Sequence, residues 1–122
     1  MSQKIKNIAI LGSTGSIGKQ TIEVILNFPD LFNITVLTAN NNSALLIQQA
    51  RIVMPNIVVI VNKTKYSEVK EALSDLPIKV LSGKNSLEEV VCLDNIDIVL
   101  TALVGFSGLK PTISAIKANK KI

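Results

Sequence analysis

Short apolar runs rich in β-branched residues alternate along the chain with longer stretches in which apolar residues recur at helical spacing. The runs Ile8–Leu11, Ile34–Leu37, Ile57–Val61, Ile78–Leu81 and Asp97–Thr101 predict strands. Ile57–Val61 is apolar at every position, as expected of a parallel strand covered by helices on both faces. Between the runs, Ile22, Ile25 and Leu26 mark a first helix. Leu46, Ala50, Val53 and Met54 mark a second, with Gln48, Gln49 and Arg51 expected to point outward. Tyr66, Val69, Leu73 and Leu76 mark a third. A brief fourth follows Ser86, whose Glu89 three residues on matches a capping box. The fifth carries Leu109, Thr112, Ile113 and Ile116, with Pro111 tolerated in its first turn. Breakers fall between these elements, at Pro29, Asn40–Asn42, Pro55, Pro77, Gly83, Gly105 and Gly108.

A β-α-β-α order over 122 residues predicts one α/β domain, doubly wound and Rossmann-like. Its sheet should be mostly parallel, with helices on both faces. Ile122 reads as the first residue of another strand, so residues 1–122 are expected to be one domain of a longer protein.

Composition narrows the function. With 48% hydrophobic and 18% charged residues the chain is neither disordered nor fibrous. No apolar run approaches the roughly 18 residues that span a bilayer, and Met1–Lys6 lacks the apolar core of a secretory signal. A soluble, cytoplasmic domain is expected. The single cysteine, Cys92, cannot close an internal disulfide. With no histidine, histidine-based zinc sites, triads and general bases are excluded within this chain. Cys92 and Tyr66 read as structural, and Asp94 and Asp97 as solvated. The net charge of +4 comes from scattered lysines, and aromatics are only 3%, so no stacking platform for nucleic acid is expected. A modest basic excess suits an anionic small molecule or a plain solvated face.

The strongest chemical signal is Gly12-Ser13-Thr14-Gly15-Ser16-Ile17-Gly18, after the first strand and opening the first helix. Glycines there permit a tight turn, close approach of the backbone to a pyrophosphate, and close packing of the helix. The helix N-terminus offers unpaired N–H groups and about half a positive charge. Ser13, Thr14 and Ser16 add hydroxyls, and no acid occurs before Glu23. The spacing G-x-x-G-x-x-G differs from the G-x-G-x-x-G of most NAD-binding dehydrogenases and lacks the Gly-Lys-Ser/Thr of a P-loop. A glycine-rich turn without a ligand is the plain alternative.

After the second strand, where NAD-binding domains place an acid on the ribose, stands Thr38-Ala39-Asn40-Asn41-Asn42-Ser43. No carboxylate occurs between Asp30 and Glu68, which favours NADP over NAD, although the usual arginine is also missing. The asparagines can equally form a loop and the N-cap of the next helix, and both readings can hold together. The segment Thr101–Gly108 leaves the last strand as either a nicotinamide-facing loop or an ordinary connection.

These residues resemble the 1-deoxy-D-xylulose 5-phosphate reductoisomerase family. The resemblance is carried by Ala9–Gly18, Leu37–Asn42, Val80–Gly83, Ile98–Thr112 and Ala115–Ala118, and so spans essentially the whole chain. Aspartate-semialdehyde dehydrogenases share a related glycine loop but not the later Val-Gly-x-x-Gly-Leu-x-Pro-Thr segment. The resemblance implies an NADPH-dependent oxidoreductase of non-mevalonate isoprenoid synthesis, assisted by Mn²⁺, Mg²⁺ or Co²⁺ as Lewis acid. It implies a phosphosugar substrate, and a homodimer at full length. By motif match Thr14, Gly15, Ser16 and Ile17 would bind the NADPH phosphates, Asn40, Asn41 and Asn42 the adenosine end, and Ala102–Val104 would lie near the nicotinamide. Many members carry a basic residue where Asn41 stands. The family's Leu-Ala-Asn-Lys-Glu segment is expected beyond Ile122, with the metal-binding carboxylates and substrate pocket further on. No catalytic or metal-binding residue is therefore expected in this chain. A stand-alone NADP-sensing module and the cofactor domain of an aspartate-semialdehyde dehydrogenase-like reductase are the competing readings.

Overall fold

The computed structural model describes residues 5–101. The expected fifth helix, the Ala102–Val104 and Gly105–Gly108 segments, and the strand start at Ile122 lie outside the described residues. In chain order the elements are β1 (Lys6–Leu11), α1 (Ser16–Leu26), β2 (Phe32–Ala39), α2 (Ser43–Val53) and β3 (Ile57–Ile60). A 3₁₀ turn (Lys63–Lys65), α3 (Tyr66–Ala72), β4 (Lys79–Ser82), α4 (Lys84–Val91) and β5 (Ile98–Thr101) follow.

The strands form one parallel sheet in the order β4-β3-β2-β1-β5. From β1 to β4 the chain steps steadily toward one edge. Ile22 and Ile25 of α1, Leu46 and Ala50 of α2 and Val69 of α3 bury against Ile8, Ile10, Leu37, Val58 and Ile60. The chain then crosses back to the opposite edge. Leu87, Val90 and Val91 of α4 bury against Ala9, Leu11, Val36, Val59 and Val99 on the other face. Helices on both faces are what the all-apolar β3 required. The reversal puts the topological switch point between β1 and β5, the crevice where open α/β sheets take ligands.

Several local expectations are corrected. β2 extends two residues beyond Ile34–Leu37 at each end, where it pairs with β1 and β3, and it contains a bulge. Ile34 pairs with Ile8 but Val36 pairs with Ala9, so Thr35 is the extra residue. The bulge shifts the alternation, putting Ile34 in the α1 face and Val36 in the other. Met54 is not on the buried face of α2. It is the C-cap in left-handed conformation (φ 56°) and 45% exposed, because Pro55 disfavours a helical residue before it. Leu26 ends α1 46% exposed, while Leu76 lies beyond the end of α3 and packs from the following turn. The capping box at Ser86 does not form. α4 begins at Lys84 with Gly83 as N-cap (φ 91°), and the Ser86 hydroxyl donates back to the Ser82 carbonyl at 2.8 Å. Asp97 is not merely solvated, since it accepts the Asn7 N–H at 2.8 Å and fastens β5 to β1.

Candidate functional site

The glycine loop leaves β1 at the switch point, and the end of β2 holds it. The Gly12 N–H donates to both Thr38 oxygens, the carbonyl at 3.1 Å and Oγ1 at 3.0 Å. The Ser13 N–H donates to the same carbonyl at 2.8 Å. Gly12 has φ 79°, the left-handed region that glycine enters without a steric penalty. Gly18, on α1, is required for a different reason. A Cβ there would stand 2.5 Å from the Gly12 carbonyl oxygen and 2.7 Å from the Ser13 backbone. Its absence lets the helix press directly onto the loop rather than onto the sheet.

Gly15 differs from both. Its φ of −76° and ψ of 172° suit any residue, and a Cβ there would meet only the Gly12 carbonyl, at an ordinary 3.7 Å. The expectation that its backbone conformation demands glycine is therefore corrected. Gly15 is the N-cap of α1 and makes no side-chain cap, and the first turn holds no acid. A serine or aspartate would cap that turn better. Glycine leaves the first-turn N–H groups without a side-chain acceptor, and the space that a Cβ would take is open apart from the Gly12 carbonyl. Thr14 is half-buried beside it, and Ser16 and Ile17 are exposed, Ile17 by 66%. The expected phosphate-side residues thus form one continuous surface around an open helix end.

The asparagine run follows β2, the neighbour of β1, so the two loops stand side by side. All three asparagines are exposed. The Asn42 Oδ1 accepts the Leu45 N–H at 3.2 Å and caps α2, so the helix-capping role is real. Asn41 is oriented by residues that sequence reasoning missed. The Thr64 N–H and hydroxyl donate to the Asn62 Oδ1 at 3.0 and 2.7 Å. That turns the Asn62 amide nitrogen toward the Asn41 Oδ1, at 2.9 Å. With an oxygen lone pair engaged in each case, Asn41 and Asn42 both keep the two N–H donors of their NH₂ for a ligand.

Two further residues were missed. Gln49 does not point outward. It is 8% exposed and pairs with Ser13. The signal was present, since position 49 lies three residues after Leu46 and on its face. Glu68, remote in sequence, accepts the Ser43 hydroxyl at 2.7 Å and so stands beside the start of α2. The carboxylate-free stretch in the sequence is thus not carboxylate-free in space. Tyr66 packs against the α1–α3 core with the Lys70 ammonium 5.5 Å from its ring centre, and Cys92 is an exposed C-cap of α4. Among the described residues no cluster of three or more His, Cys, Asp or Glu could hold a metal ion, and no helix is long and apolar enough to cross a membrane.

Comparison with known proteins agrees with this geometry. The chain is 57% identical over 117 residues to the 1-deoxy-D-xylulose 5-phosphate reductoisomerase of Phocaeicola vulgatus, covering 96% of this chain and 31% of that protein. It is 59% identical over 117 residues to that of Porphyromonas gingivalis, covering 96% and 30%. It therefore spans under a third of the curated relatives' length. The solved reductoisomerase from Zymomonas mobilis in complex with NADPH superposes with a TM-score of 0.90 at 32% identity, over 96% of this chain and 31% of that one. A reductoisomerase structure in complex with magnesium gives 0.91 at 31% identity, over 96% and 30%. The family model for 1-deoxy-D-xylulose 5-phosphate reductoisomerase matches residues 8–122, which removes the aspartate-semialdehyde dehydrogenase alternative. With five parallel strands among the described residues, a glycine loop at the switch point and a match across nearly its whole length, the chain belongs to the 1-deoxy-D-xylulose 5-phosphate reductoisomerase family.

Proposed function

We propose that residues 1–122 are the NADPH-binding domain of a longer reductoisomerase. That enzyme rearranges 1-deoxy-D-xylulose 5-phosphate and reduces the product to 2-C-methyl-D-erythritol 4-phosphate in isoprenoid synthesis. The observation that carries the cofactor assignment is Gly15, whose φ and ψ suit any residue, set before a helix end that no side chain caps. Support for the whole enzyme comes from relatives roughly three times as long, one of them solved with NADPH. The cytoplasmic location and homodimeric state that the resemblance implies belong to the same reading.

NADPH, when bound, supplies the hydride. The chain's own residues bind and orient it. The N–H groups of the first turn of α1, the positive end of its dipole, and the Thr14 and Ser16 hydroxyls hold the pyrophosphate at Gly15. Ile17 offers an apolar contact beside them. The NH₂ groups of Asn41 and Asn42, with the whole amide of Asn40, face the adenosine end as donors to a 2′-phosphate, while the nearby Glu68 carboxylate is engaged by the Ser43 hydroxyl. The described residues do not fit a divalent ion, so Mn²⁺, Mg²⁺ or Co²⁺, the phosphosugar and the catalytic groups fall to the rest of the enzyme.

Fluorescence titration of the chain with NADPH and NADH tests this. NADPH is expected to bind tighter by about tenfold or more, a difference of about 1.4 kcal/mol. Equal or reversed affinity overturns the cofactor assignment. Oxidation of NADPH by these 122 residues with deoxyxylulose phosphate and Mn²⁺ would overturn the division of labour.

A further inference from the structure

We propose that Gln49 is a positioning residue for the dinucleotide, acting through the Ser13–Thr14 peptide; the inference rests on the glycine loop being the pyrophosphate site. Gln49 sits on the buried face of α2, and its carboxamide closes a ring with a single residue. Its Nε2 donates to the Ser13 carbonyl at 2.8 Å, and its Oε1 accepts the Ser13 hydroxyl at 2.8 Å. The carbonyl can only accept, so the orientation of the amide is determined.

The loop's peptides are held by different partners. Thr38 holds peptide 11–12 through the Gly12 N–H and peptide 12–13 through the Ser13 N–H. Neither bond constrains peptide 13–14. That peptide is trans, so its C=O and N–H point in opposite directions. Drawing the Ser13 carbonyl toward α2 therefore turns the Thr14 N–H away from α2, to the outer side of the loop. Among the described residues that N–H has no acceptor. Without Gln49 only the long Gly15 N–H to Gly12 carbonyl bond, at 3.3 Å, spans this peptide without fixing its rotation, and a rotated peptide presents a carbonyl where a phosphate needs a donor. An apolar residue at 49 would fill the same space, but it would orient nothing.

The test measures binding of NADP⁺ and of adenosine 2′-monophosphate, which reaches only the asparagine end, to the full chain well below each variant's Tm. For Gln49→Met, the Kd for NADP⁺ is expected to rise about tenfold or more, as for a lost hydrogen bond to a charged group, while that for adenosine 2′-monophosphate stays within about twofold. Unchanged NADP⁺ binding, or parallel weakening of both ligands, overturns the inference and leaves Gln49 a packing residue. Gln49→Glu supplies a rescue. As a carboxylate it cannot donate to the Ser13 carbonyl, whereas the protonated acid can. Its NADP⁺ deficit relative to wild type should be large near about pH 8 and shrink near about pH 5.5, burial having raised the carboxyl. A deficit equal at both pH values overturns the inference. If the unaltered chain binds adenosine 2′-monophosphate but not NADP⁺, the pyrophosphate reading itself fails, and this inference fails with it.

Discussion

The N-termini of α1 and α2 stand at the same edge of the sheet, and their first turns are finished in opposite ways. α2 is closed at both ends. Asn42 caps its start, Ser43 engages Glu68, and Arg51 in its last turn reaches the Ala72 carbonyl and forms a two-bond pair with Asp75. α1 has a glycine N-cap, no acid in its first turn and no base in its last. A glycine N-cap costs a helix only a few tenths of a kcal/mol against asparagine, so α1 gives up little by leaving its first-turn N–H groups without a side-chain acceptor. The glycine loop divides in the same way. Gly12 and Gly18 serve the protein's own geometry, whereas the backbone of Gly15 would suit any residue.

The largest expected effect tests that division from its structural side. Gly18→Ala drives a methyl group into the Gly12 carbonyl and the Ser13 backbone, neither of which can yield cheaply. A loss of about 3 kcal/mol or more in urea unfolding is expected, and near-normal stability would break the distinction between Gly18 and Gly15. Gly15→Val is the counterpart. It should cost about 1 kcal/mol of stability, as a poorer N-cap, while NADPH affinity falls roughly a hundredfold. If affinity survives, α1 is not the open end that the comparison makes it.

Asn42 sharpens the other side. Asn42→Ala should cost about 1 kcal/mol by losing the cap. Asn42→Asp keeps the cap and suits the helix dipole, so stability should hold within about 0.5 kcal/mol. Its negative charge should nevertheless weaken NADPH more than NADH, as titration of both would reveal; equal weakening would remove the adenosine role and leave only the cap.

The smallest effect lies at the far end of α2. Hydrogen bonds from Arg51 hold the Asp75 carboxyl below its usual range. A carboxyl lowered in the folded state stabilises above its unfolded pKa, and that contribution fades as the pH falls through its folded one. Both side chains are largely exposed, so the pair is well screened. Asp75→Asn should therefore give a slightly shallower acid limb in a Tm-against-pH series and leave NADPH binding untouched.

Some of this was legible before any coordinates. Strand and helix periodicity revealed the five described strands and the first three α-helices, because burial on two faces leaves apolar runs and burial on one leaves a stripe; the 3₁₀ turn at Lys63–Lys65 leaves no such pattern. The glycine loop and the asparagine run were legible because each lies in one short stretch between a strand and a helix. Element ends were less so. The Ser86 capping pattern yielded to a glycine in a conformation that a sequence does not display, and the β2 bulge shows only in the pairing with β1.

The sequence by itself determined the fold class and the family and brought forward the residues of the glycine loop and the asparagine run, since these depend on local spacing and residue type. Only the tertiary structure decided what each of those residues is for. It separated Gly15 from Gly12 and Gly18, brought Thr38 and Gln49 onto the loop, and turned Asn41 through Asn62 and Thr64. These roles rest on contacts between residues far apart in the chain. Hydrogen bonds select such partners by distance and direction, and neither exists until the strands have paired.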